Sequence, residues 1–79
     1  MHQVILYTRP GCHLCHDMKR RLTLAAKELR FVINEMNIED SPTLRVRYGQ
    51  DIPVVMVNGE EAFRHRFDIV RLRRLLDAE

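Results

Sequence analysis

The spacing of apolar and polar residues changes period along the chain, and each change marks a predicted strand or helix. Val4 to Tyr7 is a short apolar, β-prone run that stops at Arg9-Pro10-Gly11, a pattern that favours a buried strand. Beyond it, apolar residues recur at helical spacing with charged residues on the opposite face: Leu14, Met18, Leu22, Ala25, Ala26 and Leu29. The beginning of the chain therefore predicts a strand followed by a long amphipathic helix.

The middle of the chain predicts a second strand and a short helix. Phe31 to Asn37 has strand character, and a strand, a helix and a strand in this order indicate a right-handed crossover with parallel pairing. Ser41 can cap the next helix, and Pro42 suits its first position. Gly49 can end that helix in the left-handed region.

The last third of the chain predicts a hairpin and a final helix. Val54 to Val57 is a third strand, Asn58-Gly59 is a strong signal for a two-residue turn, and a fourth strand covers about Glu61 to Arg64. Asp68 can cap a helix that directs Ile69, Leu72 and Leu76 inward. We interpret five residues as core filling: Met18, Met36, Met56, Phe31 and Phe63. The predicted order is βαβαββα, an α/β fold with a four-stranded mixed sheet flanked by helices.

Length and charge limit the classes of function. The 79 residues are fewer than the ~100 to 150 of a common domain, so we expect one domain spanning residues 1–79. Thirteen Lys and Arg against eleven Asp and Glu give a charge of +2, too small and too interspersed for nucleic-acid binding. The sequence shows no signal-peptide pattern and no apolar run near the ~20 residues of a membrane span. We therefore expect a cytoplasmic protein that binds neither nucleic acid nor membrane.

Cys12 and Cys15 directly follow the first strand, at the start of the long helix. A bridge between them would close a very short loop and remove little entropy from the unfolded chain, so we interpret the pair as chemical rather than structural. The free amide donors and the positive end of the helix dipole stabilise a thiolate at this position. We predict that Cys12 is the nucleophile, with a lowered pKa, and that Cys15 resolves the mixed disulfide.

The same residues allow other interpretations. The cysteines can form an inert buried pair, and Cys12 to His16 matches the C-x-x-C-H pattern of haem attachment, although the chain lacks the expected helical haem pocket. Zinc would need two ligands beyond Cys12 and Cys15, and no second pair follows. A further interpretation stays open, namely that two chains share an iron–sulfur cluster. His13 is either a solvated surface residue or, when protonated, a cation that lowers the pKa of Cys12.

Three segments stand in order and at matching spacings over nearly the whole chain: Tyr7-Thr8-Arg9-Pro10-Gly11-Cys12-His13-Leu14-Cys15, Asp51-Ile52-Pro53-Val54-Val55 and Val57-Asn58-Gly59. Together they resemble the glutaredoxins, and most closely their small glutaredoxin-like relatives. The resemblance implies a thioredoxin-like fold in which Pro53 follows a cis peptide bond and the backbone of Ile52 lies beside the cysteines and pairs with the substrate. Arg9 matches a basic position of the family. From the residues alone, Pro53 is explained as a proline at the start of a strand, where its missing N–H lies at the edge of the ladder.

The resemblance also implies an activity, namely reduction of protein or small-molecule disulfides through the two thiols. We expect a monomer without a tightly bound cofactor, recharged by glutathione or by a reductase of the thioredoxin-reductase type. Two other classes stay open. One is a homodimer that holds a [2Fe–2S] cluster through Cys12 and a non-protein thiol. The other is a non-catalytic adaptor that binds partners in the groove beside Pro53.

One departure from the family concerns glutathione. Members that use glutathione carry a Gly-Gly pair after the hairpin, where this chain has Arg64 and His65. Asp51 stands in place of a threonine and adds a negative charge near an anionic tripeptide. We therefore expect glutathione to bind poorly, although Arg64 and Arg66 are expected to add positive potential near the site.

Overall fold

The computed structural model describes residues 2–77, and these contain a four-stranded sheet with three α-helices and one short 3₁₀ turn. The elements are β1 (His2–Thr8), α1 (His13–Leu29), β2 (Phe31–Asn37), the 3₁₀ turn (Ile38–Asp40), α2 (Pro42–Tyr48), β3 (Val54–Val57), β4 (Glu60–Arg64) and α3 (Ile69–Asp77). The predicted order βαβαββα is confirmed. None of the helices in this part of the chain is both long enough and apolar enough to cross a membrane.

The strands lie in the order β2-β1-β3-β4. β1 pairs with β2 in parallel, whereas β1 with β3 and β3 with β4 are antiparallel, so the sheet is mixed as predicted. In this register Tyr7 near the end of β1 lies opposite Val54 at the start of β3. The loop that carries the cysteines and the segment around Pro53 therefore leave the sheet at the same edge.

The core lies between the sheet and the two longer helices. Alternate residues of β1, among them Val4 and Leu6, are buried because successive strand residues point to opposite faces. Met18 and Leu22 of α1 and Leu72 of α3 pack into the same apolar cluster. This one cluster fixes α1, and with it the cysteines at its start, against the sheet.

Two residues that the sequence placed in the core are exposed instead. Leu14 is 56% exposed because the inward face of α1 begins one residue later, at Cys15, and continues through Met18 and Leu22. Met36 is 43% exposed. It lies on the edge strand β2, at a position that alternates away from the buried Phe31.

The predicted helix starts are confirmed, but one predicted helix end is not. Ser41 Oγ accepts a hydrogen bond from the Leu44 N–H at 3.3 Å, and Asp68 Oδ1 accepts one from the Arg71 N–H at 3.0 Å. Gly49 has φ −54° and not a left-handed conformation, because its N–H continues the helical pattern to the Arg45 carbonyl at 2.9 Å.

Left-handed backbone occurs instead in the hairpin and at the end of α1. Asn58 and Gly59 have φ of 49° and 87°, as expected for a two-residue turn that joins twisted strands. Arg30, which follows α1, has φ 56° and donates its N–H to the Ala26 carbonyl at 3.0 Å.

Candidate active site

Cys12 is the N-cap of α1. Pro10 and Gly11, the latter with φ 78°, turn the chain from β1 into the helix. Cys12 itself is extended, and its Sγ accepts a hydrogen bond from the Cys15 N–H at 3.1 Å. One of the unpaired amides of the helix N-terminus is therefore directed at the Cys12 sulfur.

The two cysteines form a disulfide across one helical turn, with Cα atoms 5.2 Å apart. Their surroundings differ. Cys12 is half-buried, whereas Cys15 is 3% exposed and faces the core side of α1. An incoming sulfur atom can reach Cys12 more readily than Cys15.

A groove of about 670 Å³ opens along the cysteines at the edge of the sheet. It brings together four of the predicted site residues, Arg9, Cys12, His13 and Cys15. The other residues that line it are Thr8, Pro10, Gly11, His16, Glu35 and Asn37. The groove thus combines both sulfur atoms with basic and acidic side chains.

Glu35 is a groove residue that the sequence reasoning missed. Its carboxylate pairs with Lys19 Nζ at 2.9 Å and accepts a hydrogen bond from Thr8 Oγ1 at 3.4 Å. The signal was available in the predicted parallel pairing of the first two strands, because parallel strands end at the same edge of a sheet. Glu35 lies near the end of the second strand, and this pairing could have placed the end of that strand beside Thr8.

Arg9 lines the groove, and its guanidinium is directed towards the end of α2. Its Nη2 is 3.4 Å from the place where a Cβ on Gly49 would be. Its Nε is buried and has no hydrogen-bond partner within the described residues. The C-terminal end of α2 carries partial negative charge, which favours a cation at this position.

Ile52 and Pro53 lie at the same edge of the sheet but do not line the groove. The Ile52-Pro53 peptide bond is cis, as the family resemblance implied. Pro53 is buried, and its carbonyl accepts a hydrogen bond from the His65 N–H at 2.8 Å. This bond ties the start of β3 to the loop that follows β4.

Arg64 is paired with two carboxylates. Its Nη1 lies 2.8 Å from Asp51 Oδ2, and its Nε and Nη2 both donate to Glu61. The hydrogen bonds from Arg64 hold the pKa of Glu61 below its usual value, and the same contact raises the pKa of Arg64. The expectation that Arg64 adds positive potential to the site is therefore wrong, because the two carboxylates compensate its charge.

His65 forms a tight turn after β4. It has φ 66°, and the Arg66 N–H donates across it to the Arg64 carbonyl at 2.6 Å, which closes a three-residue γ-turn. A side chain in this backbone region is strained, and glycine is the residue that normally occupies it. The backbone at His65 therefore has a conformation that suits glycine, the residue that the family pattern leads us to expect here.

Zinc would need further ligands beside Cys12 and Cys15. Within residues 2–77, no three His, Cys, Asp or Glu side chains lie together in a way that could hold a metal ion.

Comparison with known sequences identifies relatives over most of the chain. The family described as glutaredoxin-like domain (DUF836) matches residues 3–77. The chain is 35% identical over 68 residues to the Dictyostelium discoideum protein named Glutaredoxin-like protein YDR286C homolog, an alignment that covers 78% of the chain and 63% of that relative. The chain thus spans less than two thirds of that protein. It is 33% identical over 76 residues to an uncharacterised protein of Mycobacterium tuberculosis, with 90% of the chain and 78% of the relative covered.

Comparison with solved structures identifies similar folds over most of the chain. Protein Ne2328 from Nitrosomonas europaea has a TM-score of 0.84 at 25% identity, covering 92% of this chain and 88% of that one. A protein from X. campestris has a TM-score of 0.73 at 34% identity, covering 96% and 97%. Thioredoxin 1 from Thermosipho africanus has a TM-score of 0.64 at 16% identity, covering 96% and 91%, and supports the fold alone. The chain therefore belongs to the glutaredoxin-like family of thioredoxin-fold proteins.

Proposed function

We propose that the protein is a thiol–disulfide oxidoreductase in which Cys12 attacks a substrate disulfide and Cys15 resolves the product. The observation that carries this proposal is the position of Cys12 as the N-cap of α1, where its sulfur accepts the Cys15 N–H at 3.1 Å. In the dithiol form, the same amide and the helix dipole favour the thiolate of Cys12. Cys12 is also the more exposed of the two cysteines.

The reaction transfers two electrons from the dithiol to the substrate. The Cys12 thiolate bonds to one sulfur of the substrate disulfide, the substrate S–S bond breaks, and the first substrate thiol leaves after it takes up a proton. Cys15 then loses its proton and bonds to Cys12 Sγ, the bond between Cys12 and the substrate sulfur breaks, and the second substrate sulfur leaves and takes up a proton. The Cys12–Cys15 disulfide that remains has a Cα separation of 5.2 Å, within the usual range of such bonds.

The remaining predicted site residues are assigned to substrate binding. Arg9 and His13 line the groove beside the reacting sulfur atoms and present positive charge or hydrogen-bond donors to the substrate. Ile52 and Pro53, at the neighbouring sheet edge, are assigned to the backbone pairing with the substrate that the family resemblance implies. We propose that the protein works in the cytoplasm as a monomer, without a tightly bound cofactor.

We further propose that glutathione is a poor electron donor. Two amides of the loop after β4 are already used, since the His65 N–H donates to the Pro53 carbonyl and the Arg66 N–H donates to the Arg64 carbonyl. The Arg64 side chain is held over the Tyr48 ring, with its Cζ 5.9 Å from the ring centroid. Arg64 and His65, where glutathione-using members carry Gly-Gly, crowd the backbone that glutathione would approach, and these contacts hold Arg64 in place. The charge argument is weaker than the sequence suggested, because Arg64 compensates Asp51. A reductase of the thioredoxin-reductase type is the proposed donor.

A turnover assay with a small disulfide, bis(2-hydroxyethyl) disulfide, tests the proposal. Two reducing systems are offered separately, thioredoxin reductase with NADPH, and glutathione with glutathione reductase and NADPH. We expect turnover with the first system and little with the second. Cys12→Ser abolishes exchange, whereas Cys15→Ser accumulates mixed disulfides that mass spectrometry locates on Cys12.

Three results would contradict these proposals. Equal residual activity of Cys12→Ser and Cys15→Ser would contradict the two-thiol mechanism. Rapid, saturable reduction by glutathione would contradict the choice of donor. No turnover with either system would favour the alternatives, a cluster-binding dimer if the purified protein is brown and a binding adaptor if it is colourless.

A further inference from the structure

A second cleft, of about 300 Å³, lies between the first turns of α1 and the loop that joins β4 to α3. Its apolar lining comes from Leu14, Met18 and Phe67. Leu14 stands between the two cysteines in sequence and is 56% exposed, whereas Phe67 is partly buried against the core and packs edge-on to Phe63 with ring centroids 5.9 Å apart. The cleft therefore offers apolar surface to solvent within two residues of both reacting sulfur atoms.

The acidic side chain that lines this cleft is compensated, whereas one basic side chain is not. Asp17 is paired with Arg21 at 3.3 Å and with Arg20 at 3.3 Å, so its negative charge is compensated. Arg66 also lines the cleft and is exposed, and within residues 2–77 it forms no ion pair with a carboxylate. The cleft thus has an apolar floor and a cationic rim, which complement an apolar side chain next to a carboxylate.

We propose that this cleft selects the protein substrate: it binds an apolar side chain next to the substrate cysteine, while a neighbouring acidic residue pairs with Arg66. The proposal rests on the oxidoreductase function proposed above. An extended chain advances ~3.3 to 3.6 Å per residue, so a residue one or two positions from the substrate cysteine can reach Leu14 while that cysteine reacts with Cys12. The substrate class is then a disulfide-bonded protein with an acidic, apolar segment beside the reactive cysteine.

The test uses short peptide disulfides that differ only beside the cysteine. Three peptides carry Phe-Glu, Phe-Lys or Ser-Ser after the cysteine, each as its symmetrical disulfide. The pre-reduced protein is mixed with each peptide in a single turnover, and the second-order rate constant for oxidation of the protein is measured. This design needs no electron donor. We expect the Phe-Glu peptide to react about tenfold faster than the Ser-Ser peptide, a factor that corresponds to ~1.4 kcal/mol, and several-fold faster than the Phe-Lys peptide.

Two variants of the cleft are expected to change different ratios. Arg66→Glu is expected to reverse the preference for Glu over Lys, and Leu14→Ser to reduce the preference for the Phe-Glu peptide over the Ser-Ser peptide. Arg74→Glu makes the same charge change on an exposed residue of α3 that does not line the cleft, and it should keep the wild-type ratios. Ratios between peptides are compared within each variant, so a general change in the reactivity of the cysteines cancels.

The result also separates this proposal from the function on which it rests. If wild-type protein reduces bis(2-hydroxyethyl) disulfide but reacts with the three peptides at rates within twofold of each other, the cleft proposal is overturned and the oxidoreductase function stands. A Glu preference that persists in Arg66→Glu overturns the assignment of Arg66. If the reduced protein reacts with no disulfide at all, the proposed function itself is wrong.

Discussion

Replacing His65 with glycine is expected to stabilise the fold, because the strain of its turn is carried by the backbone. His65 has φ 66°, and holding an L-residue in this left-handed region costs ~1 to 2 kcal/mol. Glycine removes that cost but adds unfolded-chain entropy of about 0.5 to 1 kcal/mol. The net expectation is a stabilisation of about 0.5 to 1 kcal/mol, or roughly 2 to 8 °C in the melting temperature of a domain of this size.

His65→Ala is the matched control for this substitution. Both variants lose the imidazole, including its 3.9 Å approach to Asp51, but alanine keeps the Cβ that makes a left-handed backbone unfavourable. Thermal unfolding followed by circular dichroism should therefore give a higher midpoint for His65→Gly than for His65→Ala. Equal midpoints for the two variants would refute the reasoning, because the imidazole and not the backbone would then determine the effect.

Three further predictions concern stability. Arg30→Gly should raise the free energy of unfolding by up to ~1 kcal/mol, because Arg30 ends α1 with φ 56°. Arg74→Gly, within α3, should lower the free energy of unfolding by ~1 kcal/mol, and urea titration of both variants checks the opposite signs. Leu72→Ala should cost ~2 to 5 kcal/mol, because Leu72 is fully buried in the core cluster, and an unchanged urea midpoint would contradict that packing. The pKa of Glu61 is lowered by its hydrogen bonds from Arg64, so the stability it contributes is present above its unfolded pKa of ~4.3 and is lost as the pH falls through the lower folded value. The deficit of Glu61→Gln in urea midpoint should accordingly be larger at pH 7 than at pH 3.

The local features of this fold were predictable because they depend on neighbouring residues. The two-residue turn at Asn58-Gly59 follows from residues that accept left-handed backbone, and the cap at Asp68 follows from a side chain that reaches its own helix. The position of Cys12 at a helix start was predictable on the same grounds, since the change of period occurs directly after it.

The features that were missed depend on packing between distant residues. The exposure of Leu14 depends on which way α1 is rotated against the sheet, and a shift of one residue turns a helix face by about 100°. Parallel pairing predicts that β1 and β2 end together, but only the register of β2 on β1 places Glu35 in the groove. Asp51 compensates Arg64 only because the fold brings these two residues together across the hairpin, which residue spacing alone does not show.

The central claim, that Cys12 is the attacking thiolate, is tested most directly by alkylation of the reduced protein with iodoacetamide as a function of pH. The rate is measured for Cys12 in Cys15→Ser and for Cys15 in Cys12→Ser, and mass spectrometry of the wild type shows which cysteine is labelled first. The position of Cys12 as N-cap of α1 predicts that it is labelled first and that its pKa lies below the ~8.5 of a free thiol. Faster labelling of Cys15, or a Cys12 that titrates at or above the free-thiol value, would contradict the assignment.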